Sequence, residues 1–153
     1  MIRLFSPRDL DDLLQIEQQS FPKSPYDWTT FINLHFLYPE TFMVYVDETR
    51  GKKKGQIVGY IIFAKEGHIL SIAVHPLHRR KGIGKELIQQ VMTAPRIQRV
   101  WAEVRRSNQG AQAFYFHLGF QVAGVVPNYY GNEDGLVIQW ISPDFRNEPM
   151  KPS

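Results

Sequence analysis

Ser71 to Met92, SIAVHPLHRRKGIGKELIQQVM, constrains this fold more than any other stretch. An apolar run stops at His75-Pro76, and three adjacent cations follow, Arg79, Arg80 and Lys81. Gly82 and Gly84 come next, and Ile83, Leu87, Ile88, Val91 and Met92 then recur at helical spacing up to Pro95. The next apolar run is RVWAEV, Arg99–Val104. Strand, helix, strand at this spacing is a crossover unit, which predicts a parallel pair of strands inside an α/β domain.

The flanking segments fit around that unit. Ile2–Leu4 reads as a short strand, and Ser6-Pro7-Arg8-Asp9 as a helix start running to about Ser20, with Leu10, Leu13, Leu14 and Glu17 on one face. Two prolines in FPKSPYDW end it, and a second helix follows from about Asp27 to Phe36. TFMVYV and QIVGYIIFA alternate as a hairpin around DETRGKKKG, whose Lys52, Lys53 and Lys54 read as a solvated tip. HILSIAV is continuously apolar, which predicts a central strand buried on both faces. After RVWAEV, a helix fits Gln109–Leu118 with Gly119 as its stop, and FQVAGVV and GLVIQWI close the chain as strands around PNYYGNED. One domain over residues 1–145 with a flexible tail over 146–153 is the expected organisation.

Bulk properties narrow the function. The 153 residues contain no cysteine, which removes disulfides, thiolate metal sites and a cysteine nucleophile. His75 and His78 form an H-x-x-H spacing on a turn beside cations with no third ligand, so no metal is expected. Lys plus Arg exceed Asp plus Glu by only 18 to 15, which gives no case for direct nucleic-acid binding. No apolar run approaches the ~20 residues of a membrane helix, so a cytoplasmic location without membrane contact is the default expectation.

The glycine turn has the chemistry of a pyrophosphate cradle. A helix N-terminus offers unpaired N–H groups and partial positive charge, and glycines let the main chain approach a phosphate closely. Lys85 is followed by Glu86, which breaks a Walker A loop, and Leu87 stands where the dinucleotide fingerprint needs glycine. What remains is R-x-x-G-x-G, Arg79 to Gly84. Taken alone, it reads equally well as a basic surface turn.

Its surroundings resemble the GNAT superfamily of acetyltransferases, in which an apolar strand and a proline turn precede [QR]-x-x-G-x-[GA] at a helix start. WAEVRRSNQGAQAFYFHLGF further resembles the E-V-R-x-S-N…Y…G-F segment of the RimI-like branch, which acetylates protein N-termini, and NYYGNED resembles that branch's Tyr-Tyr…Glu-Asp segment. The resemblance implies an α/β GNAT fold: a central mixed sheet, two splayed parallel strands and flanking helices. It implies acetyl-CoA as donor and a protein or peptide N-terminus, such as that of a ribosomal protein, as acceptor partner. Ile72, Ala73 and Val74 would bind the pantetheine arm through their main chain. Arg79, Arg80, Lys81, Gly82, Ile83, Gly84 and Lys85 would wrap the pyrophosphate, and Asn108 would contact the cofactor. The arm would enter where the strands ending at Val74 and Val104 part.

The resemblance also assigns the chemistry. Glu103 falls at the family's base position; by alternation alone it reads first as a solvent-facing carboxylate. Tyr115 falls at the position of the acid near the coenzyme sulfur, although it also belongs to the apolar stripe Ala111–Phe114–Tyr115–Leu118. Asn108 is equally an N-cap. Phe21 and Tyr26 in the first loop, with Tyr129 and Tyr130 in the last, would line the acceptor; the two tyrosines could instead pack their own loop. Lys23 and Pro25 depart from the Phe-Pro-Trp-Ser form of bacterial relatives, so their preferred first residue does not carry over. Three other readings compete: a GNAT enzyme for lysine side chains or small amines, a non-catalytic acyl-CoA binding module and a basic DNA-binding domain.

Overall fold

The computed structural model describes residues 1–48 and 55–146; Lys52–Lys54 and the tail after Arg146 lie outside them. Packing divides the chain into two compact units, residues 1–64 with 69–91 and residues 65–68 with 92 onward.

The first unit holds β1 (Ile2–Leu4), α1 (Leu10–Ser20), α2 (Trp28–Leu37), β2 (Phe42–Asp47), β3 (Gln56–Phe63), β4 (Ile69–Val74) and α3 (Ile83–Met92, whose last residue falls to the second unit). The strands form one antiparallel sheet in the order β1-β2-β3-β4. Before α1 the chain makes a short 3-10 turn, Pro7–Asp9, where Asp9 accepts from Ser6 N–H at 2.9 Å and from the Arg3 guanidinium at 2.8 and 2.9 Å. Asp27 caps α2 by accepting Thr30 N–H at 2.8 Å. The core gathers Leu13 and Ile16 of α1, Phe31 of α2, and Phe42, Val44, Tyr60 and Ile62 of the sheet. Gly59 lets α3 seat closely: a Cβ there would lie 3.2 Å from Ala73 O and 3.3 Å from both Ile83 and Leu87.

One expectation changes here. The buried inner strand is β3, whereas β4 is an edge strand with several half-buried residues. A continuous apolar run shows that both faces are covered, but it does not show that both edges are paired. The difference matters because an edge strand keeps main-chain N–H and C=O groups available. His75 N–H donates to Val58 O at 2.7 Å. Antiparallel alternation then pairs Ala73 with Tyr60 and turns the N–H and C=O of Ile72 and Val74 to the open edge.

The second unit holds β5 (Arg99–Arg105), α4 (Gln109–His117), β6 (Gln121–Val126), β7 (Gly135–Ile141) and the short α5 (Pro143–Arg146). Its sheet is antiparallel in the order β5-β7-β6. The expected parallel pairing of the strands around the crossover is reduced to an isolated bridge, His68 with Trp101, just ahead of β4. The two sheets are otherwise separate ladders. The α/β class stands, as helices with two antiparallel sheets.

Gly67 makes the turn that delivers His68 to Trp101. Its φ is +114°, and a Cβ would fall 1.9 Å from Arg99 O. Gly67→Ala is therefore expected to cost at least about 2 kcal/mol, read as a lower urea midpoint with unchanged slope. No helix among the described residues is long and apolar enough to cross a membrane.

Candidate active site

In the first unit, the turn after β4 begins with a 3-10 segment, Pro76–His78, capped by His75, whose Nδ1 accepts Leu77 N–H at 3.1 Å. Arg79 reaches back so that its Nε donates to Val74 O at 3.3 Å. Arg80 and Gly82 both take left-handed backbone, with φ of +65° and +80°. A Cβ on Gly82 would meet nothing within 4 Å, so the space above it is open. The first intrahelical bond of α3 is Glu86 N–H to Gly82 O at 3.0 Å, which leaves the N–H groups of Ile83, Gly84 and Lys85 at the orphan positions of a helix start. The Ile83 side chain is buried, so this residue can offer only its main chain. Arg79, Arg80, Lys81 and Lys85 carry their charge on exposed side chains. An open edge strand, a clear glycine and exposed cations fit a long anionic ligand with a pyrophosphate.

The acceptor-loop candidates of this unit, Phe21 and Tyr26, are half-buried. Phe21 N–H donates to Glu17 O at 2.8 Å, and the Tyr26 hydroxyl lies 3.5 Å from Leu70 O on β4.

The second unit brings together the other candidates. Alternation along β5 buries Val100, Ala102 and Val104 and puts Arg99, Trp101, Glu103 and Arg105 on the opposite face. Glu103 is not a free surface carboxylate. Its Oε2 lies 2.8 Å from His68 Nε2, with their side chains 18% and 25% exposed. The His68 ring stacks flat on Trp101, with centroids 5.0 Å apart, and the Arg99 guanidinium sits 4.7 Å from the Trp101 ring centroid. His68 is a neighbour the sequence reading missed. The two residues are 35 positions apart, and the parallel bridge of His68 with Trp101 brings their segments together.

Tyr115 is 4% exposed and packs edge-on against Phe120 at 5.1 Å. Burial, with smaller contributions from Tyr130 and Glu103, raises its hydroxyl pKa well above the ordinary phenol value. Tyr130 is pushed up to about 12, by burial first and then by Tyr129 and Glu103. Burial and then Glu103 raise Tyr129 as well. Three phenols thus share the field of one carboxylate, and all three stay protonated near neutral pH.

Ion pairs fasten the loop that carries the last two. Arg105 donates to Glu133 at 3.0 Å and to Asn132 at 3.2 Å, and its guanidinium lies 4.3 Å from the Tyr130 ring centroid. The other Glu133 oxygen accepts Ser107 N–H at 3.1 Å. Arg106 pairs with Asp134 at 3.2 Å, and Asp134 also accepts Asn128 N–H. Tyr129 and Tyr130 meet edge-on at 4.9 Å, and Tyr129 is about half exposed. Asn108 caps α4, its Oδ1 accepting Ala111 N–H at 3.0 Å.

The acetyltransferase (GNAT) family model matches residues 10–120. The chain belongs to that family. It is 35% identical over 139 residues to an uncharacterized N-acetyltransferase of Methanocaldococcus jannaschii, covering 88% of this chain and 85% of the relative. It is 32% identical over 146 residues to the [ribosomal protein bS18]-alanine N-acetyltransferase of Salmonella typhimurium, covering 90% and 94% of the two chains. The structure of Ard1 from Thermoplasma volcanium superposes with a TM-score of 0.80 at 32% identity, covering 92% of this chain and 96% of that one. The family, the fold class and the N-acetyltransferase activity that the resemblance implied are borne out.

Proposed function

We propose that this GNAT acetyltransferase transfers the acetyl group of acetyl-CoA to the α-amino group of a protein or peptide, with Glu103 as base and Tyr115 as acid. The observation that supports the proton handling is Glu103, held 2.8 Å from His68 on the half-buried face of β5, in the same unit as the buried phenol Tyr115. The choice of acceptor is supported by the Salmonella relative, named for acetylating an alanine of bS18. Alanine has no side-chain nitrogen, so its residue can be N-acetylated only at an α-amine.

Acetyl-CoA supplies an activated acetyl thioester when bound. The main chain of Ile72 and Val74 on the edge of β4 holds its arm, with Ala73 keeping the strand paired to β3. Gly82, Ile83, Gly84 and Lys85 present N–H groups to the pyrophosphate, and Arg79, Arg80 and Lys81 add charge around it. Asn108 caps α4 through its oxygen, and its amide nitrogen is the group assigned to contact the cofactor. Glu103 takes the proton of the incoming amine, directly or through a water. A peptide α-amine has a pKa of about 7.7–8.0, so a carboxylate suffices as acceptor of that proton. His68 orients the carboxylate through its 2.8 Å contact. Tyr115, protonated because it is buried, gives its proton to the departing sulfur. Phe21, Tyr26, Tyr129 and Tyr130 line the acceptor peptide.

Release of free coenzyme A thiol tests the acceptor class. A peptide beginning with Ala should turn over, whereas the same peptide with a formylated N-terminus, or a polyamine, should not. Equal rates with the polyamine would overturn the reading. The cradle has its own test. Gly82→Val is expected to raise the dissociation constant for acetyl-CoA at least about tenfold, since a side chain would fill the open space and strain the left-handed backbone. Calorimetry reads the affinity and circular dichroism confirms the fold; unchanged affinity would refute the cradle.

A further inference from the structure

One buried carboxylate takes no part in this proton handling. Glu17 on α1 is 2% exposed, and burial pushes its pKa up while donors from Tyr60 and Tyr26 oppose that rise. It holds both ends of the loop after α1. Its main-chain oxygen accepts Phe21 N–H at 2.8 Å, and its Oε1 accepts Tyr26 N–H at 3.0 Å. Its Oε2 accepts the hydroxyl of Tyr60, a fully buried residue of β3, and that hydroxyl lies 2.9 Å from Ser71 Oγ on β4. Pro22 and Pro25 have no N–H to give, and within the loop Ser24 N–H donates to Phe21 O at 3.2 Å.

We infer that Glu17 is the positioning residue of the acceptor loop, clamping Phe21 to Tyr26 onto the sheet through Tyr60 and Ser71. The inference rests on the reading of that loop as acceptor-binding. A carboxylate suits this task because each oxygen accepts a donor from a different element, so the two bonds fix one loop placement. An apolar side chain could fill the same volume, but it would take the acceptor from Tyr26 N–H and leave the placement unspecified.

The test compares wild type with Glu17→Leu, Glu17→Gln and Tyr60→Phe, using acetyl-CoA and a peptide beginning with Ala. Glu17→Leu should raise KM for the peptide about tenfold, with kcat and acetyl-CoA affinity unchanged, because β4 is still held by β3. Glu17→Gln should restore KM, since its carbonyl accepts Tyr26 N–H and its amide donates to the Tyr60 oxygen. Wild-type KM in the Leu variant, or a Gln variant as impaired as Leu, overturns the clamp. Should Glu17→Leu not fold, Tyr60→Phe decides: a raised peptide KM supports the clamp and an unchanged KM refutes it. Hydrogen exchange at Tyr26 N–H gives a readout free of activity, faster in the Leu or Phe variant and slow in the Gln variant. If wild type acetylates no peptide, the α-amine reading fails and this exchange alone judges the clamp; unchanged exchange in the Leu or Phe variant overturns it.

Discussion

Replacing Glu103 by Gln is expected to lower kcat by about 100-fold or more, while the affinity for acetyl-CoA stays the same. Gln keeps the shape of the side chain and can still meet His68, but it cannot carry the proton of the amine. The loss should therefore fall on turnover and spare binding, because the proton transfer uses the carboxylate and the cradle uses main-chain N–H groups and cations. Single-turnover kinetics at saturating acetyl-CoA measure this directly. A variant with wild-type turnover would remove Glu103 from the mechanism. One whose acetyl-CoA affinity fell in step with turnover would make the residue part of the binding site.

The second large effect is expected at Tyr115. Tyr115→Phe should reduce kcat about 100-fold, the scale of a lost general acid. Its ring packs on Phe114 and Phe120, and Phe keeps those contacts, so thermal stability should change little. The pH dependence follows from the direction of the shift. Burial raises the Tyr115 pKa above its ordinary value of 10.0, so the acid form persists across the working range. The kcat/KM of wild type should then rise through the amine pKa of about 8 and hold level to at least about pH 10. A falling limb between pH 8 and 9 would contradict a protonated Tyr115.

Local pattern and tertiary contact divide what could be read in advance. The local structure from Ile72 to Lys85 was legible because an apolar strand, a turn, clear glycines and a helix start follow one another directly. Glu103 and Tyr115 were picked out by spacings that resemble the family's, and their placement on β5 and α4 was legible in the same local way. Their alternatives resolve in an instructive way. Tyr115 is both core aromatic and protonated phenol, Asn108 does cap its helix, and Glu103 is tied to His68 where a solvent-facing carboxylate would stand alone.

The missed features all depend on distant packing. His68 and Glu103 meet across 35 positions, and Tyr60 reaches Glu17 across 43. No periodicity reports such pairs. Glu17 lies on the apolar face of α1, where the sequence shows only a polar residue on the wrong side. The edge position of β4 was hidden for a related reason: hydropathy records burial of faces and is silent on which edges carry hydrogen bonds.

The central claim is most directly tested by locating the acetyl group. Wild-type protein, acetyl-CoA and a peptide carrying both a free N-terminal alanine and an internal lysine should yield one product. Tandem mass spectrometry should place the acetyl group on the N-terminal fragment, and Glu103→Gln should nearly abolish that product. An acetyl group on the lysine, or a mixture independent of Glu103, would contradict the account.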